Sequence, residues 1–86
     1  MKKFNCKARG KIGCYTYVWY PKLNMLEVTI PLEGRGVDRV RFWVDNFYDF
    51  ISVRYFEGIY QYRKSWGKFG AAMHCFANWA RLDLFK

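Results

Sequence analysis

The sequence lacks a long apolar segment: nowhere do about 18 apolar residues follow one another, as a membrane-spanning helix requires. It also lacks the apolar stretch of a secretory signal peptide, because polar residues continue to Lys11 after the basic residues 2–3. We therefore expect a cytoplasmic protein that has no membrane partner.

Cysteine and histidine are scarce. The three cysteines are an odd number, which is not typical of a small secreted disulfide scaffold and favours a reducing compartment. Cys6, Cys14, His74 and Cys75 would make a poor zinc site, because their spacing is irregular and adjacent helical residues point about 100° apart. We interpret Cys14 and Cys75 as small core residues and Cys6 as a free thiol.

Residues that could form a catalytic site are equally scarce. His74 is the single histidine, and Cys75, its neighbour on a predicted helix, cannot easily reach it to form a nucleophile–base pair. Asp45 and Asp49 are the closest pair of acids, and a helix-capping role explains both. We therefore predict that the protein is not an enzyme and takes neither a cofactor, nor a metal ion, nor a small-molecule substrate.

Acidic residues are absent from residues 1–22, which carry six basic residues. The whole chain has a net charge of +8, from 15 Lys and Arg against 7 Asp and Glu. Residues 23–50 have a net charge of −2, from three basic and five acidic residues. Residues 51–86 have a net charge of +4, from six basic and two acidic residues. Basic ends around a mildly acidic middle favour a polyanion or an acidic protein surface as partner. In the alternative, the charge serves solubility alone.

Aromatic residues, by contrast, are abundant: they make up 22% of the 86 residues, within a hydrophobic share of 52%. This composition argues against disorder and supplies the large side chains that so short a chain needs for its core. We predict one domain, residues 1–86, with a basic, flexible lead-in at residues 1–10. Part of the aromatic excess is expected on the surface, where exposed aromatic patches mark contacts.

Residues 37–45 carry the clearest strand pattern of the chain. Val40, Phe42 and Val44 alternate with charged or aromatic side chains, which is typical of a half-buried strand. The opposite side of this strand pairs guanidinium groups with an indole, a combination that suits a flat, anionic partner.

Residues 12–20 and 25–32 show the same period of two. Their short connections predict a three-stranded antiparallel meander with residues 37–45. In residues 12–20 we assign Cys14, Thr16 and Val18 to the apolar inner face and Tyr15, Tyr17 and Trp19 to the outer face.

Residues 46–63 admit two interpretations. Asn46 can cap a helix, and apolar residues follow it at roughly helical spacing. The alternative is a hairpin of residues 50–56 and 59–63, which Val53 and the tyrosines favour. We prefer the helix.

Residues 69–84 form the clearest predicted helix. Its apolar residues recur at three- and four-residue steps and make one stripe: Phe69, Ala72, Met73, Phe76, Ala80 and Leu84. This stripe is expected to cover the apolar face of the meander. The prediction is therefore an α+β fold, with a three-stranded antiparallel meander (12–20, 25–32, 37–45), a C-terminal helix (69–84) and a further helix or hairpin at 46–63.

The outer face of the predicted sheet combines aromatic rings with guanidinium groups. Unpaired bases stack on such rings, and basic groups hold the phosphates. The candidate binding residues on this face are Tyr15, Tyr17, Trp19, Arg39, Arg41 and Trp43, with Lys7, Arg9 and Lys11 extending the track beyond the sheet edge. In the alternative, the predicted helix covers this face and buries the aromatics as core, although two buried guanidiniums would each need a partner.

A second basic cluster, Arg63, Lys64 and Lys68, is expected to contact phosphate. Lys68 lies in the segment Gly67-Lys68-Phe69-Gly70, which is similar to the four-residue loop with which KH domains clamp a nucleic-acid backbone. The helix that precedes such a loop is not predicted here, so we interpret this segment as the start of the C-terminal helix.

These patterns lead to two functional hypotheses. The first is a binding module that engages nucleic acid, DNA or RNA, through the cationic, aromatic face, as single strands or through the backbone. The second is a small inhibitor of the viral host-takeover or anti-defence type, which docks on an acidic or nucleic-acid-binding groove of a target protein. In the second case, the tryptophans and arginines would be the main anchors.

Overall fold

A computed structural model describes residues 7–34 and 36–83. The described elements, in chain order, are β1 (Arg9–Ile12), β2 (Tyr15–Tyr20), β3 (Met25–Leu32), β4 (Gly36–Asn46), β5 (Phe50–Tyr55), β6 (Gly58–Arg63), a short 3₁₀ helix (Lys64–Trp66) and α1 (Gly67–Ala80). The strands form one antiparallel sheet in the order β1-β2-β3-β4-β5-β6. The predicted α+β class, with an antiparallel meander and a C-terminal helix, is confirmed, but the sheet has six strands instead of three.

The predicted first strand, residues 12–20, contains the last residue of β1, a turn and the whole of β2. The chain turns at Gly13, whose φ of +61° lies in the left-handed region that glycine adopts without strain. β1 then pairs with β2, with Arg9 opposite Val18 and Ile12 opposite Tyr15. The predicted lead-in at residues 1–10 therefore ends within a strand, and residues 1–6 lie outside the described part of the chain.

The helix preferred for residues 46–57 is wrong, and the hairpin is the observed structure. Ile51 and Val53 alternate with residues that point away from the core, as a strand requires, and both are buried. β5 and β6 are joined by the two residues Phe56 and Glu57, because Tyr55 pairs with Gly58. The helical spacing of the apolar residues arose from two faces of a hairpin and not from one face of a helix.

α1 begins two residues earlier than predicted and ends at Ala80. Its buried side includes Ala72, Met73 and Phe76, so the predicted stripe is confirmed for these positions. Arg81 ends the helix in the left-handed conformation, and its backbone N–H donates to the carbonyl groups of Ala77 and Asn78.

α1 lies across one face of the sheet, and the core fills the space between them. The buried core side chains come from β2 to β5 and from α1: Tyr17, Leu26, Val28, Val40, Phe42, Val44, Ile51, Val53, Ala71, Ala72, Met73, Cys75 and Phe76. Cys75 is buried as predicted, whereas Cys14 is exposed in the β1–β2 turn, so its predicted place in the core is wrong. Cys6 lies outside the described residues.

A candidate nucleic-acid interface on the open face of the sheet

The face of the sheet opposite α1, here called the open face, is defined by strand alternation. Side chains of successive residues point to opposite sides of a strand, so the neighbours of core residues lie on the open face. The open face comprises Arg9, Lys11, Thr16, Val18, Tyr20, Met25, Glu27, Thr29, Pro31, Val37, Arg39, Arg41, Trp43, Asp45, Phe50, Ser52, Arg54, Ile59, Gln61 and Arg63. The 46–63 segment contributes to this face as strands and does not cover it.

The strand register arranges these residues in rows that cross the sheet. Three rows follow from the pairing: Lys11, Thr16, Thr29 and Arg39; Arg9, Val18, Glu27 and Arg41; and Tyr20, Met25, Trp43, Arg54 and Ile59. The first two rows have a basic residue at each end, and the third places an aromatic ring next to a guanidinium group. The predicted interleaving of rings from residues 12–20 with arginines from residues 37–45 is not formed, because β3 lies between those two strands. In these rows, Trp43 is the ring that lies next to a guanidinium group, that of Arg54.

The open face carries an excess of positive charge. It holds six basic residues (Arg9, Lys11, Arg39, Arg41, Arg54 and Arg63) and two acidic ones (Glu27 and Asp45), a balance of +4. All six basic residues are exposed. This charge attracts a polyanion, and its effect falls as salt screens it.

One of the acidic residues is paired. The Nε of Arg41 donates to Oε2 of Glu27 over 3.1 Å, between directly opposite positions of β3 and β4. Such an exposed pair contributes little to stability, about 0–1 kcal/mol. It leaves most of the guanidinium N–H groups of Arg41 available for a ligand.

Arg39 and Arg54 have unengaged guanidinium groups: within residues 7–34 and 36–83, neither group forms a hydrogen bond or an ion pair. The carboxylate of Asp38, next to Arg39 in sequence, accepts instead from the backbone N–H of Arg39, at 2.9 Å. These two guanidiniums can therefore bind a phosphate without first breaking an internal contact.

A cleft opens where β4 extends past the end of β5. β4 pairs with β3 from Gly36 onward but with β5 only over residues 43–46. On the N-terminal side of Trp43, the β5–β6 hairpin therefore separates from β4. The resulting cleft has a volume of about 300 Å³, and its lining residues are Arg39, Val40, Arg41, Trp43, Arg54, Tyr55 and Phe56. Three arginines thus line one concave site together with Trp43 and Phe56, whereas the ring of Tyr55 packs against the core residue Phe42.

Three predicted binding residues of β2 lie on the opposite face, so the predicted inner and outer sides of residues 12–20 are wrong. Tyr15 and Tyr17 lie against Phe76 of α1, with ring centroids 5.6 and 6.2 Å apart, and Trp19 stacks on Phe69 at 5.5 Å. These large rings occupy the side that α1 covers, since that side offers them the greatest apolar burial.

Space for the Tyr17 ring is provided by Gly10, its partner in the β1–β2 pairing. A Cβ atom at Gly10 would lie 3.1 Å from the hydroxyl oxygen of Tyr17. That hydroxyl donates to the backbone carbonyl of Lys7 at 3.0 Å, which holds the chain before β1 against the sheet. Lys7 therefore lies beside β1, near the predicted end of the basic track.

The predicted second cluster, Arg63, Lys64 and Lys68, is divided among three settings. Arg63 ends β6 on the open face, opposite Phe50. The Nζ of Lys64 donates to the side-chain oxygen of Asn46 and to the backbone carbonyl of Phe47, so it ties the β4–β5 loop in place. Lys68 lies in the first turn of α1, on the other side of the sheet.

Two residues that line the cleft are not among the predicted candidates, Arg54 and Phe56. The preferred helix for residues 46–57 placed them on no particular face. The alternation of Arg54 with the buried Val53 was the available signal, because it puts Arg54 on the side of Arg41 and Trp43 once the segment is a strand.

A cluster of tyrosines and a thiol lies on the helix side, between β5, β6 and α1. A cavity of about 140 Å³ is lined by Tyr55, Tyr60, Tyr62, Cys75, Asn78 and Trp79. Burial raises the pKa of Cys75 to about 11. The pKa of Tyr55 is raised to about 12, mainly by burial, and the hydrogen bond and the charge interaction with Tyr60 act in the same direction. These groups are protonated at neutral pH, which disfavours a nucleophilic role.

His74 stacks on Trp66 on the solvent side of α1. The ring centroids lie 3.7 Å apart with the planes 10° from parallel, and burial lowers the pKa of the imidazole. The imidazole is therefore neutral at neutral pH. The stack joins the 3₁₀ helix to α1.

Residues 7–34 and 36–83 contain neither a candidate metal site nor a candidate membrane-spanning helix. No group of three or more His, Cys, Asp or Glu in that part of the chain could hold a metal ion. Within the same residues, no helix has the length and apolar character needed to cross a membrane. Comparison of the chain with protein-family models, with curated proteins and with solved structures found no match.

Proposed function

We propose that the protein is a non-enzymatic, nucleic-acid-binding module whose open face holds the phosphate backbone. The observation that carries the proposal is the convergence of Arg39, Arg41 and Arg54 with Trp43 and Phe56 at one cleft. Guanidinium groups bind phosphate through paired N–H donors, and aromatic rings stack on bases, so this set matches the two chemical parts of a nucleotide.

The charge of the open face supports a backbone-directed contact. Neutralising phosphates releases condensed counterions, and the resulting affinity falls steeply with salt. With Arg39 and Arg54 unengaged, two of these contacts form without loss of an internal ion pair.

The test is a titration of labelled single- and double-stranded oligonucleotides with the full chain at two salt concentrations. We expect binding at low salt that weakens steeply at the higher concentration. Arg39→Gln and Arg54→Gln should each weaken binding and lower the slope of log affinity against log salt by about 0.7 for a single strand. Arg81→Gln is the matched control, because it removes the same charge at the end of α1, away from the open face.

A second candidate is the protein-docking inhibitor, acting on an acidic surface of a target. Tyr48, in the β4–β5 loop, is 94% exposed, and the neighbouring Phe47 is exposed as well. Exposed aromatic side chains of this kind are typical anchors of protein interfaces. Absence of oligonucleotide binding at low salt would contradict the first proposal and favour this one.

A further inference from the structure

Phe56 has a backbone conformation that its side chain does not favour. It is the first of the two residues that join β5 to β6, and its φ is +51°. In a two-residue turn, a positive φ at the first residue and not at the second favours glycine at the first. Phe56 occupies that first position, and a bulky residue in the left-handed region is a structural outlier. Outliers of this kind concentrate at functional sites.

Core packing does not explain the phenylalanine. The side chain is 71% exposed, and its described ring contact is with Tyr55 alone, at 5.7 Å. An exposed aromatic ring in a strained turn gains little from burial. A ligand that contacts the ring would account for its presence.

The cleft beside Phe56 offers both surfaces that an unpaired nucleotide needs. Trp43, 37% exposed, lies on one wall next to its cross-strand partner Arg54, and Phe56 lies at the departing hairpin. Arg39 and Arg54 supply unengaged guanidiniums at the same cleft. Flat apolar rings and free cations in one concave site match a base with its attached phosphate.

We propose that this cleft takes an unpaired nucleotide of a single-stranded nucleic acid, with its base on Trp43 and Phe56 and its phosphates on Arg39 and Arg54. The inference rests on the proposed nucleic-acid function and adds the strand class and the site. A duplex keeps its bases stacked and paired, so it could offer the cleft a base only after that base is flipped out. The phosphates of a duplex alone would leave both rings without a partner.

The test measures binding of the full chain to a labelled oligonucleotide as a single strand and as the matching duplex, at one low salt concentration. We expect the single strand to bind at least about fivefold more tightly, since stacking of one base is worth about 5-fold to 100-fold in affinity. The experiment is done once with a DNA strand and once with an RNA strand of the same sequence. Tighter binding of either strand than of its duplex supports the cleft as the binding site.

The decisive variants are at Phe56. Phe56→Gly should weaken single-strand binding about 5-fold to 100-fold and at the same time raise the melting temperature, because glycine relieves the turn. Phe56→Trp keeps a ring and should retain the affinity. Tyr48→Ser is the matched control, since it removes an exposed aromatic ring outside the cleft, and should leave the affinity unchanged.

Two results would overturn the inference and have different meanings. Equal affinity for single strand and duplex, with Phe56→Gly binding as tightly as the wild type, would reject the cleft site but leave a backbone-directed function in place. Absence of binding to either form at low salt would reject the proposed function together with the site.

Discussion

Arg41 and Glu27 are direct partners in the β3–β4 pairing, and the Nε of Arg41 donates to Oε2 of Glu27 over 3.1 Å. Glu27 is thus the one acid in a row of four residues that begins with Arg9 and ends with Arg41. Its carboxylate competes with any phosphate for the same guanidinium.

Glu27→Gln should therefore strengthen nucleic-acid binding. The change removes one negative charge from the open face and releases Arg41, so affinity at low salt should rise several-fold and the salt dependence should become steeper by about 0.7 for a single strand. Oligonucleotide titrations at several salt concentrations measure both. Glu33→Gln, in the β3–β4 turn, is the matched control for net charge; an equal gain from that variant would mean that total charge, and not the open face, sets affinity.

Tyr17 and Tyr20 test the orientation of β2, since they occupy opposite faces of one strand. Tyr17 is 4% exposed beneath α1, whereas Tyr20 is 37% exposed on the open face. Tyr17→Ala should lower the free energy of unfolding by about 3–5 kcal/mol, because it removes a buried ring. Tyr20→Ala should cost less than about 1 kcal/mol. Urea denaturation measures both, and equal losses would contradict the face assignment.

Arg81→Gly should stabilise the protein by about 0.5–1 kcal/mol. Arg81 has a φ of +57° just after α1, and a glycine in this left-handed position has no Cβ clash. The adjacent Ala80→Gly variant should do the reverse and lose about 1 kcal/mol, because that residue is helical. Thermal melts of the two variants should move in opposite directions. A lower melting temperature for Arg81→Gly would show that its side chain stabilises the helix end.

Stability should decrease at alkaline pH. Burial raises the pKa of Cys75 from its ordinary 9.0 to about 11, partly offset by the Tyr62 hydroxyl, and burial also raises the pKa of Tyr62. A raised pKa means that the folded chain holds more protons than the unfolded chain, so this stability is complete below pH 9 and is lost as pH rises toward 11. The loss from Cys75 should be on the order of 2 kcal/mol by pH 11.

Chemical denaturation at pH 8, 9.5 and 11 measures this loss. Cys75→Ala is the control, since it removes the thiol and should flatten the part of the decline that begins near pH 9. An unchanged profile in that variant would assign the decline to the tyrosines alone.

Much of the fold could be predicted because residues 37–45 and the apolar stripe of α1 have unmistakable periods. Val40, Phe42 and Val44 are all buried, as their alternation required, and Phe76 packs against the sheet. In these segments one face is apolar and the other polar. The burial of one face then fixes both the element and its orientation.

Prediction failed where both faces of a segment were apolar enough to be core. In β2, the choice between Val18 and Trp19 as inner residues depends on β1, whose Gly10 makes room for the Tyr17 ring. In residues 46–57, the period of a hairpin and that of a helix fit the same apolar positions. In both segments, the pairing with neighbouring strands determines which side chains face the core. Compared with the predicted face, the observed open face therefore includes Arg54 and lacks Tyr15, Tyr17 and Trp19.

In the described meander, each strand pairs with the strands next to it in sequence, and α1 follows all six. During synthesis, each pair of successive strands can therefore form a hairpin soon after it leaves the ribosome, since the loop between the two strands is short. The apolar face of the sheet nonetheless remains exposed to water until α1 has been synthesised and can cover it. The interval before that moment is when a nascent chain of this design is most prone to aggregate or to need a chaperone.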